Sequence, residues 1–323
     1  MKAMIYTQYG SPDVLRLADV PRPTPRAGEV LVKVHAVAAN SGDIRLLRAQ
    51  PFVVRLSGQG LFKPKRAILG SDIAGRVEAV GSGVTEFKLG DAVYGDLSAN
   101  GLGGFAEYIA VPESVLAPMP ANLSFEEAAA VPMAGVTALQ ALRDKGKVQG
   151  GERVAINGAS GGVGTFAVQI AHDMGAEVTA VASAGKLDML RSLGASQVID
   201  YAREDFTARA GQYDVILGVN GYHPLTHYAR ALKPGGRYVM VGGTDGQLFE
   251  AMLRAPLMPK RDGKRLDHLI AKVSSADLRA VTALIERGKV KPVVERCYPL
   301  EALAEALHYL DAGHARGKLV MTL

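Results

Sequence analysis

The chain has 323 residues and a mass of 34.0 kDa, with 48% hydrophobic and 21% charged residues, enough for two domains of roughly 100–200 residues each. This composition excludes a disordered or collagen-like chain. The 37 basic residues exceed the 32 acidic ones by five, with a pI of about 9.2. The basic clusters Lys63–Arg66 and Lys260–Arg265 are short, far apart and free of interleaved aromatics, so no nucleic-acid partner is expected.

The first 120 or so residues are rich in Gly and Pro between short β-prone runs. Lys2–Gln8, Glu29–Val37 and Arg76–Val80 read as strands, and Gly81–Gly83 as a turn. Pro21, Pro23 and Pro25 stiffen one connection. This is the pattern of a small, mainly antiparallel barrel or sandwich. The rhythm changes at Asn122. Ser124 and Glu127 fit a capping box, so a helix follows, ended or kinked by Pro132, with a second helix over Gly135–Arg143. Strands and helices then alternate: strands at Arg153–Asn157, Glu177–Ala182, Gln197–Asp200, Tyr213–Val219 and Arg237–Val241, and helices at Gly162–Met174, Lys186–Leu193 and Pro224–Leu232. Lys233–Gly236 reads as a turn. Continuously apolar strands separated by amphipathic helices predict a parallel sheet covered on both faces. A strand at Leu266–Val273, helices at Ala276–Arg287 and Leu300–Ala312, and a strand at Lys318–Thr322 complete the reading.

Cys297, the single cysteine, excludes an intrachain disulfide and any four-cysteine zinc cage. Met1–Thr7 lacks the apolar stretch of a signal peptide, and no run of about 18 apolar residues predicts a membrane span. A reducing compartment, the cytoplasm, is the expected setting.

The chemistry is concentrated in Asn157–Gly164, between a β-branched strand and an Ala-rich helix. Read as G-x-G-x-x-G, its glycine positions fall at Ala159, Gly161 and Gly164. Gly161 admits a pyrophosphate to the backbone, Gly164 lets the helix pack on the strand, and the helix N-terminus offers free N–H groups. At the end of the next strand, a dinucleotide site built for an unphosphorylated ribose places Asp or Glu. Ser183 and Lys186 stand there instead. A hydroxyl and an ammonium suit a 2′-phosphate, through charge-assisted bonds of roughly 1.5–3 kcal/mol each. Tyr201, ending the third strand, adds an O–H donor or a face for adenine. The expected cofactor is NADPH.

Gly158–Gly164, Leu193–Ala195 leading into Val198–Tyr201, Leu232–Gly236 and Gly313–Lys318 together resemble the medium-chain dehydrogenase/reductase superfamily from end to end. The resemblance is closest to its zinc-free quinone oxidoreductase branch, the group of zeta-crystallin, the chloroplast-envelope quinone oxidoreductase homologues and the mitochondrial reticulon-interacting reductases. It implies an α/β chain with a GroES-like β-barrel catalytic domain, over residues 1–122 completed by 274–323, and a Rossmann doubly wound parallel-sheet NADPH domain over 123–273. It also implies an active site in the cleft between them, and a homodimer formed by edge pairing of the Rossmann sheets.

Carried over residue by residue, the resemblance places Asn40, Asp43 and Thr137 at the catalytic site. Ser160, Gly161, Gly162, Val163 and Gly164 line the pyrophosphate, and Asn220, Gly243 and Thr244 follow the fourth and fifth strands near the ribose and nicotinamide. His314, Ala315 and Arg316 return to the cofactor from the C-terminal segment. Where the zinc-dependent branch carries Cys and Gly-His-Glu, this sequence has Asn40–Asp43 and Gly70-Ser71-Asp72, so no metal is expected. Ile44–Arg48 also lacks the tyrosine common in related quinone reductases. Without a Lewis acid, the accessible reaction is hydride addition to a quinone or to the C=C bond of an α,β-unsaturated carbonyl. An enoyl-thioester reductase and a non-catalytic NADPH-binding sensor or scaffold stand as alternatives.

Overall fold

The computed structural model describes residues 1–52, 54–55, 60–220, 223–243, 246–247, 250, 252, 261–313 and 315–323. It divides into two compact units. Unit 1 comprises Met1–Met133, Val273–Glu286 and Pro292–Leu323, and unit 2 comprises Ala134–Lys272 and Arg287–Lys291.

Unit 1 begins with β1 (Lys2–Ile5) and β2 (Arg16–Asp19), an antiparallel pair. It continues through β3 (Glu29–Ala38), α1 (Ser41–Arg48), β4 (Asp72–Val80), β5 (Ala92–Asp96), β6 (Tyr108–Pro112), β7 (Leu116–Pro118) and α2 (Phe125–Ala129). The Ser124 capping box forms: its hydroxyl accepts from the Glu127 N–H at 3.2 Å, and its own N–H donates to Glu127 Oε2 at 3.1 Å.

Unit 2 carries α3 (Pro132–Gln140), β8 (Arg153–Asn157), α4 (Gly162–Asp173), β9 (Glu177–Ala182), α5 (Leu187–Ser192), β10 (Gln197–Asp200), β11 (Tyr213–Gly218), α6 (Leu225–Ala231), β12 (Leu232–Met240) and β13 (Arg265–His268). Pro132 opens α3 rather than interrupting α2, because a first-turn proline gives up no intrahelical bond. Lys233–Gly236 belongs to β12 as an irregularity in its pairing with β11, not to a separate turn. The chain returns to unit 1 with α7 (Ser275–Glu286), β14 (Val294–Pro299), α8 (Leu303–Asp311) and β15 (Lys318–Thr322).

The sheet of unit 1 runs β14-β15-β3-β4-β5-β7, with β6 also paired to β3; it is antiparallel except for β14 with β15. Its core gathers Tyr6, Val32, Leu47, Ile73, Phe105, Leu116, Leu303 and Met321. The change of composition at Asn122 precedes the end of this unit, because α2 packs onto the sheet: Phe125 stacks on His35 with centroids 4.3 Å apart. Helix α7 belongs here too, tied by Tyr94 Oη to Thr282 Oγ1 at 2.6 Å and by Asn122 Nδ2 to the Ile285 carbonyl at 3.0 Å.

The sheet of unit 2 is parallel throughout, in the order β10-β9-β8-β11-β12-β13. Numbered within the unit this is 3-2-1-4-5-6, the doubly wound dinucleotide-binding order. Strands β8 and β9 and helix α4 are buried almost throughout, as a sheet covered on both faces demands.

Candidate functional site

In unit 2 the strand order reverses at β8, and in such sheets ligands sit beyond the carboxyl ends of the strands at that point. The segment after β8 is shaped for it. Gly158 adopts φ +83°, and a Cβ at Gly164 would stand 2.3 Å from the Gly158 carbonyl oxygen. Helix and loop therefore close up as only glycine allows. At Gly161, the N-cap of α4, the nearest heavy atom to an added Cβ is 3.7 Å away, leaving room for a ligand. The first intrahelical bond of α4 runs from the Thr165 N–H to the Gly161 carbonyl. The N–H groups of Gly162, Val163 and Gly164 thus head a helix of 12 residues and lack intrahelical acceptors, the arrangement that receives an anion. The loop fits a pyrophosphate.

The other predicted cofactor residues of this unit follow the same sheet edge. Ser183 directly follows β9 and caps a short 3₁₀ turn ending at Lys186, whose N–H donates to the Ser183 carbonyl at 3.0 Å. Tyr201 directly follows β10; its N–H donates to the Ala182 carbonyl at 3.2 Å, and its ring is exposed. The serine, the lysine and the tyrosine are therefore neighbours across two adjacent strand ends. Asn220 follows β11, held by its N–H to the Asn157 carbonyl at 3.1 Å, and Gly243 follows β12. Thr244 and His314 lie outside the described residues. Thr137 is buried in α3.

Unit 1 holds the remaining predicted residues. Asn40 and Asp43 flank the first turn of α1, and both are buried. The Asn40 side chain does not cap the helix. Its Nδ2 donates to Ser71 Oγ at 3.2 Å and to Asp72 Oδ2 at 3.0 Å, with a longer approach to the Ala38 carbonyl, and its Oδ1 accepts from Lys318 Nζ at 2.6 Å. Lys318 Nζ also stands 3.2 Å from Asp72 Oδ2, with side-chain exposures of 4% and 0%. Asp72 Oδ1 accepts the Met133 N–H at 3.0 Å. Asp43 braces two segments, accepting the N–H groups of Asn40 at 2.8 Å and Gly70 at 3.2 Å.

Burial pushes the Asp43 carboxyl up to about 7, against the pull of those two N–H groups. Asp96, paired with Asp72 across β4 and β5, is pushed up to about 6 by burial and by the Asp72 charge. Burial also raises Asp72, opposed by Lys318 and Asn40. Further along the chain, Arg316 is exposed and its N–H donates to Glu295 Oε2 at 2.7 Å, while Ala315 is half-buried. Arg48 is engaged by Asp311 through two bonds of 3.0 and 2.6 Å.

Ser71, Asp72 and Lys318 were not singled out as site residues from the sequence. The available signal is a charged residue directly before a short apolar run at the head of each of two strands, Asp72 before Ile73-Ala74 and Lys318 before Leu319-Val320. Their pairing spans 246 positions, which only the sheet reveals.

Residues 26–121 match the alcohol dehydrogenase GroES-like domain family, and residues 193–321 match the zinc-binding dehydrogenase family. The 2-methylene-furan-3-one reductase of Solanum lycopersicum is 37% identical over 99% of this chain and 79% of its own length. The chloroplastic NADPH-dependent alkenal/one oxidoreductase of Arabidopsis thaliana is 36% identical, with the same coverage. The structure of the quinone oxidoreductase from Coxiella burnetii superposes with a TM-score of 0.88 at 32% identity, over 100% of this chain and 99% of that one. The chain belongs to the medium-chain dehydrogenase/reductase superfamily, in its quinone oxidoreductase branch. Some dehydrogenases of this superfamily use zinc, and the residues here do not suit it. An amide, a hydroxyl and one carboxylate replace thiolate and imidazole, and the carboxylate is already satisfied by the chain's own ammonium. No step is assigned to a metal.

Proposed function

We propose that this member of the superfamily is a zinc-independent, NADPH-dependent reductase of quinones and of the C=C bond of α,β-unsaturated carbonyl compounds. The observation that carries this reading is the relative named for reduction of 2-methylene-furan-3-one, aligned over 99% of this chain. The ends of β9 and β10 support the choice of NADPH over NADH. A carboxylate there would repel a 2′-phosphate, whereas Ser183, Lys186 and Tyr201 present a hydroxyl, an ammonium and a phenol.

Bound NADPH supplies a hydride to the electron-poor carbon of the acceptor, whose conjugation carries the charge to oxygen. The chain's own residues bind and orient. The amides of Gly162, Val163 and Gly164 hold the pyrophosphate, with Ser160 and Asn220 beside them. Gly243 and Thr244 follow the fifth strand in the sequence, and the family resemblance assigns His314, Ala315 and Arg316 to the cofactor as well. Thr137, buried in α3, would stand by the nicotinamide as the family resemblance implies. Asn40 spends both amide protons and its oxygen inside the protein, and Asp43 spends its carboxylate on two backbone N–H groups. Both are therefore positioning residues that hold the start of α1 against β4, with Lys318 and Asp72 fixing Asn40 in turn.

No described helix is long and apolar enough to cross a membrane. The exposed Cys297 thiol suits the reducing cytoplasm. Among the described residues β10 and β13 are the edge strands of the unit 2 sheet, the kind of surface on which a homodimer would pair. The cofactor assignment is tested by kcat/KM for NADPH and NADH with a quinone and an enone. Lys186→Ala should cost about tenfold with NADPH and leave NADH turnover unchanged, since 1.4 kcal/mol is one decade. A preference of the parent for NADH, or an unchanged ratio in the variant, overturns it.

A further inference from the structure

A second polar cluster lies in unit 2, apart from the residues given to the dinucleotide. Asp205 sits on the connection between β10 and β11, while His223 and His227 flank the start of α6. One ligand atom from each of the three lies within 4.8 Å of the other two, and His223 Nε2 is 3.7 Å from Asp205 Oδ1. We propose that Asp205, His223 and His227 form a binding site for a divalent transition-metal ion of the zinc class. The inference is independent of the reductase reading, because it uses none of the residues that carry that reading.

Three features of the cluster favour a ligand set over a chance meeting of polar side chains. First, the two histidines are already neighbours in space. His223 precedes and His227 lies within the first turn of α6, at a helix start where the Pro224 carbonyl accepts the His227 N–H at 2.9 Å, and the two rings lie 5.9 Å apart. Second, the ligands are held. Asp205 Oδ1 accepts from the Thr207 N–H at 2.8 Å and hydroxyl at 2.6 Å. The His223 ring packs edge-on against Phe206 and Tyr228, and the His223 main-chain N–H donates to Tyr228 Oη at 3.4 Å. Such outer contacts are what fix a ligating side chain. Third, His227 Nδ1 is buried and has no hydrogen-bond partner among the described residues. A buried polar atom left unmatched is costly, and an ion supplies the missing partner.

The donor set selects the metal. Two imidazole nitrogens and one carboxylate oxygen suit Zn²⁺ or its Ni²⁺ and Cu²⁺ neighbours, and leave a coordination position for water. Magnesium and calcium require oxygen ligands almost throughout and are excluded. At metal–ligand distances of about 2.0–2.2 Å, tetrahedral ligands stand about 3.4 Å apart, so the His223–Asp205 pair needs little closure. The ion would join the β10–β11 connection to α6.

The test is Zn²⁺ binding to the full chain carrying Cys297→Ser, which removes the competing thiol, read by competition with a chromophoric chelator and by thermal unfolding. One equivalent of Zn²⁺ should bind and raise the unfolding temperature, whereas Mg²⁺ should do neither. His227→Gln, His223→Gln and Asp205→Asn should each weaken Zn²⁺ at least tenfold and abolish the thermal shift, while unfolding cooperatively without metal. Three variants guard against a single misfolded one. Absence of an equivalent binding below about 100 µM Kd, a change of −5.5 kcal/mol or weaker on the usual scale, overturns the proposal. So does an affinity unchanged by the histidine substitutions, which would put the ion elsewhere.

Discussion

At Asp43 the protein keeps a carboxyl group out of water and satisfies it with two main-chain N–H groups. The ordinary value of 3.8 holds in the unfolded chain and about 7 in the folded one. Below 3.8 both states are protonated. Between the two values the folded state retains a proton that the unfolded state has lost, so this group's contribution to stability falls as pH rises and is gone above about 7. Asp43→Asn has no proton to lose. Its urea unfolding free energy should therefore decline less than the parent's between pH 5 and pH 8, by about 2–3 kcal/mol. Parallel curves for the two proteins would refute a titrating Asp43. Asp43 and Asn40 were legible in the sequence only through resemblance, because nothing in Asn40-Ser41-Gly42-Asp43 distinguishes a helix cap from a link to a distant strand. The fold separates the two: the Asp43 carboxylate does brace the cap, while the Asn40 amide turns away to Ser71, Asp72 and Lys318.

At the scale of elements, two junctions position the candidate residues. The first is between β8 and α4. Gly164→Ala would drive a Cβ to 2.3 Å from the Gly158 oxygen, so it should lower the unfolding temperature and weaken NADPH at least tenfold in a fluorescence titration. Gly161→Ala meets nothing nearer than 3.7 Å, and should weaken NADPH while leaving the unfolding temperature unchanged. This pair separates packing from ligand approach. The second junction joins β4 and β15 through the Asp72–Lys318 pair. Lys318→Met strands a buried carboxylate and should cost about 3–5 kcal/mol, whereas the Asp72→Asn, Lys318→Met double variant should recover much of that loss. Additive losses in chemical denaturation would mean that the pair is not coupled. The strand and helix periods of unit 2 were plain in the sequence, down to the bounds of β8, β9 and β10. The β12 irregularity was not, because Lys-Pro-Gly-Gly has the composition of a free turn and only the pairing with β11 draws it into the sheet.

At the scale of the whole molecule, the proposed chemistry requires no catalytic metal. NADPH-dependent turnover of a quinone should survive prolonged dialysis against EDTA unchanged, even if the histidine cluster of unit 2 is stripped. Loss of turnover restored by Zn²⁺ would refute the metal-free reading. The sequence by itself determined the class of fold, the parallel sheet and the glycine loop of a dinucleotide site, because each is written in local periods and in residues within one β-α-β unit. The tertiary structure alone decided that Lys318 meets Asp72 and Asn40, that Asp43 is shut away from water, and that Asp205 meets two histidines. Those are meetings of residues far apart along the chain or on separate connections. Their energies depend on burial and on partners brought in by strand order, neither of which any local pattern encodes.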